Sequence, residues 1–406
     1  MATSGKHPDG ATRVRRALSE RAAKIRAGEE SAFFQLLRLA ETRGDVITLG
    51  RGEPDIPTPP HIVQAAKRAL DEGHTTYTNP AGLPALRDAI AEKFHKENGL
   101  EYDPSTEIIV TTGAQEGIAV VMQTLLDRDD EVLIAIPYYT AYEANIVLAG
   151  GVPVGVLTHE EEDFEIKAKA IEGQITDRTK LLAIVSPNNP TAAVLHRETL
   201  EEIADLAKRR DLVVLSDELY EKVVYDDFET VSIASLPEMR NRTIVINGFS
   251  KAYSMTGFRV GYMAGPQDYM RAALEPRHSL TISSPTPFQH AALAALTGPQ
   301  DHLIEMMAEY TVRRNMMAKV FDDIGVSYSL PKGAFYFWAN IKGAGIDSFT
   351  FCKRGVTDHG ILFFPGSMYG EAGEGYIRIS FLAPRPQLEE ALERFATLYQ
   401  ECQGAP

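Results

Sequence analysis

Short, continuously apolar runs recur through the middle of the chain, spaced widely enough for helices to lie between most of them. Seven read as strands: EIIVTTG (107–113), EVLIAIPYY (131–139), VPVGVLT (152–158), TKLLAIVSP (179–187), LVVLSDELY (212–220), TIVINGFS (243–250) and RVGYMAGP (259–266). A strand with one wet face alternates polar and apolar residues, whereas a continuous apolar run fits a strand covered by helices on both faces. Helical patterns such as RETLEEIADLAKRR (197–210) fall between them. The alternation predicts an α/β domain over residues 51–295, built on a mostly parallel seven-stranded sheet flanked by helices. The last two strands are joined too closely for a helical crossover, so one of them is expected to run antiparallel.

After residue 295 the pattern changes. A long helical stretch (301–325) precedes strands GAFYFWANI (333–341), ILFFPG (361–366) and YIRISFL (376–382), and a helix, PQLEEALERFATLYQE (386–401), closes the chain. This reads as a smaller α+β domain over 296–406, joined by an N-terminal arm and helix within 1–50, the helix falling around 31–43. Neither repeats nor low-complexity tracts are present. The first dozen residues and the last few, CQGAP, read as disordered.

Composition narrows the class. The chain has 406 residues, 44% hydrophobic and 24% charged, as in an ordinary globular protein. Its net charge of −15 argues against a broad nucleic-acid surface, so any anionic ligand must be held by local Arg or Lys groups. The two cysteines, Cys352 and Cys402, form neither a disulfide framework nor a metal motif, which fits a reducing compartment. No run approaches the roughly 18 apolar residues of a membrane span. The N-terminus lacks the apolar core of a secretory signal, and Asp9, Glu20, Glu29 and Glu30 weaken a transit-peptide reading. The expected location is the cytoplasm.

In open α/β sheets, ligands collect at the carboxyl ends of strands, and several unusual residues fall at such ends. Thr112-Gly113-Ala114-Gln115 lead from a strand into a helix, either as a plain turn or as a phosphate seat of free N–H groups. Asn188-Asn189-Pro190 end another strand and read first as a turn. Asp217 ends a wholly apolar strand, with Tyr220 three residues on; it reads as an N-cap or as the partner of a cationic ring nitrogen. Lys251 follows TIVINGFS, where a charged amine is costly unless a partner or chemistry uses it, and Arg259 lies beyond it. Arg378 sits on an alternating strand, where a salt-bridged or solvated arginine is the default.

A phosphate seat, a ring-nitrogen acid, phenol and amide donors and an imine-forming lysine are the parts that pyridoxal 5'-phosphate requires. With those parts in order, the chain resembles the fold-type I, class I/II aminotransferases, of the bacterial aspartate/aromatic/kynurenine branch. The matching stretches are GEPDIPTP, YTNPAGLPALRDAIAEKF, SPNNPT, SDELYEKVVYD, SKAYSMTGFRVGY, GAFYFW and PGSMYGEAGEGYIRIS, in family order from about residue 30 onward.

The resemblance implies roles residue by residue. Lys251 forms the imine with the cofactor and then serves as general base and acid. Asp217 binds the pyridinium nitrogen, Tyr220 and Asn189 hydrogen-bond the ring's phenolic oxygen, and Tyr139 stacks on the ring. Gly113, Ala114, Gln115, Ser250 and Arg259 hold the phosphate, with Tyr77 reaching in from a second subunit. Arg378 clamps the substrate α-carboxylate, helped by Gly52 and Asn189. The implied reaction is ping-pong transfer of an α-amino group between an L-amino acid and a 2-oxo acid, in a homodimer with no nucleic-acid or membrane partner and no metal.

Two departures stand out. Ala192 replaces the glycine common in the family's NPTG turn, which adds strain on the order of 1 kcal/mol if that turn needs positive φ. Gln115 stands where some aspartate-using relatives carry a basic residue, which weakens a dicarboxylate reading. Arg51, beside Gly52, either restores a distal cationic contact or faces solvent. Tyr138, Tyr142 and Phe364 are expected near the entrance, as tolerant of an aromatic substrate or simply as packing. Two rivals remain at this stage. One is a carbon–sulfur β-lyase or aminocyclopropane-carboxylate-synthase-like enzyme using the same cofactor. The other is a cofactor-binding regulator domain, against which the early start of the match and the negative charge both argue.

Overall fold

A computed structural model of the chain describes residues 19–25 and 31–404. The expected disorder of the first dozen residues lies outside that range. At the other end the expectation is corrected: Cys402 is buried, within a helix that runs Arg385–Gln403.

Strand β1 (Ile47–Thr48) comes first in the chain. Seven more follow: β2 (Ile108–Thr111), β3 (Glu131–Ile136), β4 (Val152–Leu157), β5 (Thr179–Val185), β6 (Val213–Asp217), β7 (Thr243–Gly248) and β8 (Gly261–Ala264). They form one sheet in the order β2-β8-β7-β6-β5-β3-β4. Only β8 runs against its neighbours, as the short connection from β7 requires. Every residue of β2 and β7 is buried, which matches their largely apolar sequences. Helices cover both faces. In the helix Arg197–Arg209, buried Leu200, Ile203, Ala204 and Ala207 recur every three or four residues and form the apolar stripe laid on the sheet.

The second sheet has the order β12-β13-β10-β9, from β9 (Ser327–Tyr328), β10 (Tyr336–Asn340), β12 (Phe364–Pro365) and β13 (Tyr376–Ser380). Between them, β11 (Ile361–Leu362) pairs in parallel with β1. The ILFFPG run is therefore two short strands serving two sheets, where the sequence predicts one. Aromatic side chains fill this core: Trp338 stacks on Tyr376 at 5.5 Å, and Phe351, Phe363 and Phe395 meet edge to face or tilted.

These parts fix the loop after β1. Leu49 N–H donates to Leu362 O at 2.7 Å, and Ser380 N–H donates to Leu49 O at 2.7 Å. Beyond it, Arg313 on the helix Asp301–Ile324 holds both oxygens of Asp55, at 2.8 and 2.9 Å. The neighbouring Arg314 holds Asp226 with two nitrogens, Nη1 to Oδ2 at 2.9 Å and Nη2 to Oδ1 at 3.0 Å. One helix thus ties down the loop after β1 and the segment after β6.

Ala192 does adopt positive φ, at 61°, so the left-handed turn is made without the glycine. Its N–H reaches Asn188 O and its carbonyl accepts from Gly333, both at 3.1 Å, which holds the turn closed. No helix is long and apolar enough to cross a membrane among the described residues.

The Arg313–Asp55 pair is nearly buried, so deleting one partner strands a charge. Arg313→Ala should lower stability by about 3 kcal/mol in urea denaturation, and Arg313→Lys should not fully restore it, since a single ammonium cannot hold Asp55 and Glu309 together as the guanidinium does from Nη1 and Nε. An unchanged midpoint for the alanine variant would contradict this.

Candidate active site

A cavity of about 950 Å³ opens where the carboxyl ends of the large sheet face the loop after β1 and the second sheet. The reactive side chains come from consecutive strand ends. Beyond β7, the turn at Ser250 and Lys251 brings the lysine into the cavity, where Nζ donates to Gly52 O at 2.5 Å and lies 5.8 Å above the Tyr220 ring. Beyond β6, the turn Asp217–Glu221 divides its side chains. Asp217 and Tyr220 line the cavity. Glu218 turns into the interior onto the Ser216 and Ser232 hydroxyls, and Glu221 onto Lys93 and Asn247. Those buried contacts anchor the turn that presents the acid and the phenol.

Asp217 is buried, with Oδ2 accepting from the Tyr142 hydroxyl at 2.9 Å and Oδ1 from Leu219 N–H at 3.2 Å. The Tyr220 and Tyr336 hydroxyls meet at 3.1 Å. Asn189 follows β5, and its Oδ1 accepts from Arg378 Nη1 at 3.1 Å. Arg378 Nη2 donates to Gly50 O at 2.9 Å, and its guanidinium lies over the rings of Tyr336, Tyr369 and Phe364 at 4.4, 5.2 and 5.6 Å. Among the described residues it has no ion-pair partner, although it is buried. A guanidinium has five N–H donors, and the two spent here leave a fork free to meet a carboxylate.

The helix Ala114–Leu125 begins at Gly113 with no side chain capping its first turn. Gly113 has φ +77°, and a Cβ there would fall 2.7 Å from Arg259 Nη2, so both backbone and space call for glycine. A Cβ on Gly261 would likewise fall 2.6 Å from Ala114 N. Arg259 is itself held at φ 53° and donates to Thr256 O at 3.1 Å. The buried Thr112 hydroxyl has no hydrogen-bond partner among the described residues. Free N–H groups, a guanidinium against the helix start and an orphaned hydroxyl together fit an oxyanion group such as a phosphate.

Electrostatics follow from burial. Desolvation, with the Arg378 and Arg259 guanidinia, pulls the Lys251 pKa down to about 8, against smaller opposing effects of Glu53 and Asp217. Burial raises the pKa of Asp217, and the hydrogen bonds from Tyr142 and Leu219, with Lys251 nearby, limit the rise. Burial and then Tyr336 push Tyr220 well above its ordinary value, so it serves as a hydrogen-bond donor rather than a phenolate.

Of the residues singled out in the sequence, Gly52, Ala114, Gln115, Tyr139, Asn189, Asp217, Tyr220, Ser250, Lys251, Arg259 and Arg378 all line this cavity; Gly113 does not line it but caps the helix whose first residues do. Arg51 and Phe364 line it too. Tyr77 does not: it stands on the surface, 74% exposed. The entrance expectation is corrected at two positions. Tyr142 is fully buried beneath Asp217, because its hydroxyl is the donor that a buried carboxylate needs, and Tyr138 turns to Glu143 at 2.8 Å. Sequence reasoning missed Tyr336 and Tyr369. Tyr336 is two residues from Trp338, the register partner of Arg378, so strand alternation across a correctly paired sheet would have found it.

The pKa of Lys251 carries a stability consequence. The folded value, about 8, lies below the ordinary 10.5, so the unfolded chain binds the proton more tightly. Folding therefore bears its full cost below pH 8, and the cost fades as pH rises to 10.5. Lys251→Met in the cofactor-free protein should raise stability at pH 7 by about 2 kcal/mol, allowing for screening at the open cavity, with the advantage shrinking through that window in denaturation at stepped pH. A destabilised variant, or a gain that grows with pH, would contradict the assignment.

A family profile described as aminotransferase class I and II matches residues 44–395. Aromatic-amino-acid aminotransferase 2 of Thermococcus litoralis is 41% identical over 387 residues, covering 95% of this chain and 99% of its own. Aspartate aminotransferase of Bacillus subtilis is 40% identical over 358 residues, covering 86% and 90%. Among solved structures, aspartate aminotransferase from Thermus thermophilus with maleate superposes with a TM-score of 0.89 at 37% identity, covering 94% of this chain and all of that one (100%). The strand order, the cavity and these likenesses agree: the chain belongs to the class I and II aminotransferases, which depend on pyridoxal 5'-phosphate.

Proposed function

We propose that the enzyme moves the α-amino group between an L-amino acid and a 2-oxo acid in two half-reactions, with Lys251 holding the cofactor and then carrying the proton to and from the substrate Cα. When bound, pyridoxal 5'-phosphate supplies an aldehyde for the amine and a cationic ring that accepts electrons from the broken C–H bond. The rest falls to the chain. Asp217 keeps the ring nitrogen protonated. Tyr220 and Asn189 donate to the ring's phenolic oxygen, and Tyr139 stacks on the ring. Gly113, Ala114, Gln115, Ser250 and Arg259 take the phosphate. Arg378 takes the substrate α-carboxylate with Asn189 and the backbone of Gly52. The observation that carries this reading is one cavity holding both a half-buried lysine and a buried arginine, neither paired with a carboxylate among the described residues.

A homodimer with two shared sites belongs to the same reading. Its support is Tyr77, an aromatic residue exposed on a loop that Thr286 and Gln289 hold in place through Thr76 O and Thr78, the latter at 3.0 Å. A cytoplasmic location agrees with the absence of a spanning helix among the described residues.

The test is a panel of L-amino acids added singly to the reconstituted enzyme, following conversion of the pyridoxal to the pyridoxamine form. One equivalent of 2-oxo acid per subunit is expected, with turnover only when a second 2-oxo acid is supplied. Continuous release of ammonia and pyruvate without an acceptor would favour elimination instead. In the same preparation, gel filtration should show a dimer, and Tyr77→Phe should weaken cofactor retention about tenfold, the loss of one charge-assisted hydrogen bond. A fully active monomer would contradict the shared site.

A further inference from the structure

Tyr336 Oη lies 3.1 Å from Tyr220 Oη, both side chains are buried, and among the described residues neither hydroxyl has another hydrogen bond. The strand β10 sets this placement. Tyr336 pairs in register with Ser380 of β13, two positions from the Trp338–Arg378 pair, so its side chain shares a face of the sheet with Arg378. The Arg378 guanidinium lies 4.4 Å over its ring, and the Tyr220 and Phe335 rings meet it edge to face at 6.3 and 5.5 Å. A Cβ on Gly52 would fall 2.8 Å from the Tyr336 hydroxyl, so the loop after β1 comes as close to that oxygen as a glycine permits. The titratable and charged groups around the phenol are Tyr139, Tyr220, Tyr369 and Arg378, and no carboxylate among the described residues bonds to it.

A phenol has one proton to give and lone pairs with which to accept. When Tyr220 spends its proton on the ring's phenolic oxygen, the contact at 3.1 Å can be made only with Tyr336 donating. An O–H group that also accepts a hydrogen bond is polarised, and in a dry site the polarisation makes it a stronger donor. Resting on the transaminase reading above, we propose that Tyr336 is a positioning residue that acts through Tyr220: its hydroxyl donates to Tyr220 and so strengthens the hydrogen bond from Tyr220 to the cofactor's phenolic oxygen. A stronger donor at that oxygen draws electron density away from it. The proton that the oxygen shares with the nitrogen of Lys251 is then held less tightly and leaves at lower pH.

Tyr336→Phe removes the hydroxyl and keeps a ring under Arg378. The test is a pH titration of the visible absorption of the cofactor-loaded enzyme, in the wild type, Tyr336→Phe, Tyr220→Phe and the double variant. Tyr336→Phe should raise the midpoint by about 0.5 unit, about threefold in the proton's dissociation constant. Tyr220→Phe should raise it by about one unit, and adding Tyr336→Phe to it should shift it no further, since the relay has lost its middle member. A merely structural role for Tyr336 would shift the midpoint equally with and without the Tyr220 hydroxyl. That result, or an unmoved or lowered midpoint in Tyr336→Phe, would overturn the relay while leaving the transaminase reading intact. A wild-type protein with no visible band at any pH would overturn that reading and the relay with it.

Discussion

Much of this structure is arranged around an amine that is denied a counter-ion. Lys251 rests against a peptide carbonyl, with the guanidinia of Arg378 and Arg259 near enough to oppose its charge and, among the described residues, no carboxylate bonded to it. Left to itself such a residue would be a defect, since desolvation and like charge both work against its proton. The surrounding elements make it a reagent by lowering the amine's pKa to about 8, while the buried acid of the site, Asp217, accepts from Tyr142. The chain tolerates the instability because a reactive nitrogen is what the chemistry uses.

The two sheets divide the work. Carboxyl ends of the large sheet supply the anion seat, the acid, the phenol and the lysine, and the turn that carries the acid and the phenol is anchored from behind by buried contacts. The smaller sheet supplies Arg378 and the aromatic rings around it, and the loop after β1 carries the peptide groups that join the halves. A cation buried among Tyr336, Tyr369 and Phe364 keeps its charge through ring faces rather than acids, which leaves its fork for a ligand. Arg313 and Arg314 then lock the loop after β1 and the segment after β6 to one helix, so the site's geometry depends on contacts well outside it.

The large sheet was legible because most of its strands are buried on both faces and therefore nearly unbroken in hydrophobicity, and the short link before β8 already implied its reversed direction. The strand-end residues were legible for a related reason: a polar group that terminates an apolar run has few structural excuses. Sequence leaves Tyr142 between entrance and packing because it does not say what lies beneath the residue; the structure settles it as packing and brings its hydroxyl to Asp217. Tyr336 and Tyr369 escaped notice because an aromatic residue in a sheet core reads as packing until its register with Arg378 is known. ILFFPG was read as one strand since four apolar residues in a row carry no mark of the switch between two sheets. Tyr77 is the converse case, identified through a resemblance while its surroundings in a single chain give it nothing to bind.

The most direct measurement of the central claim is reduction of the cofactor-loaded enzyme with borohydride, followed by peptide mapping. The account predicts a stable pyridoxyl adduct on the peptide containing Lys251 and on no other lysine. A colourless protein, or label fixed elsewhere while Lys251 stays unmodified, would contradict it.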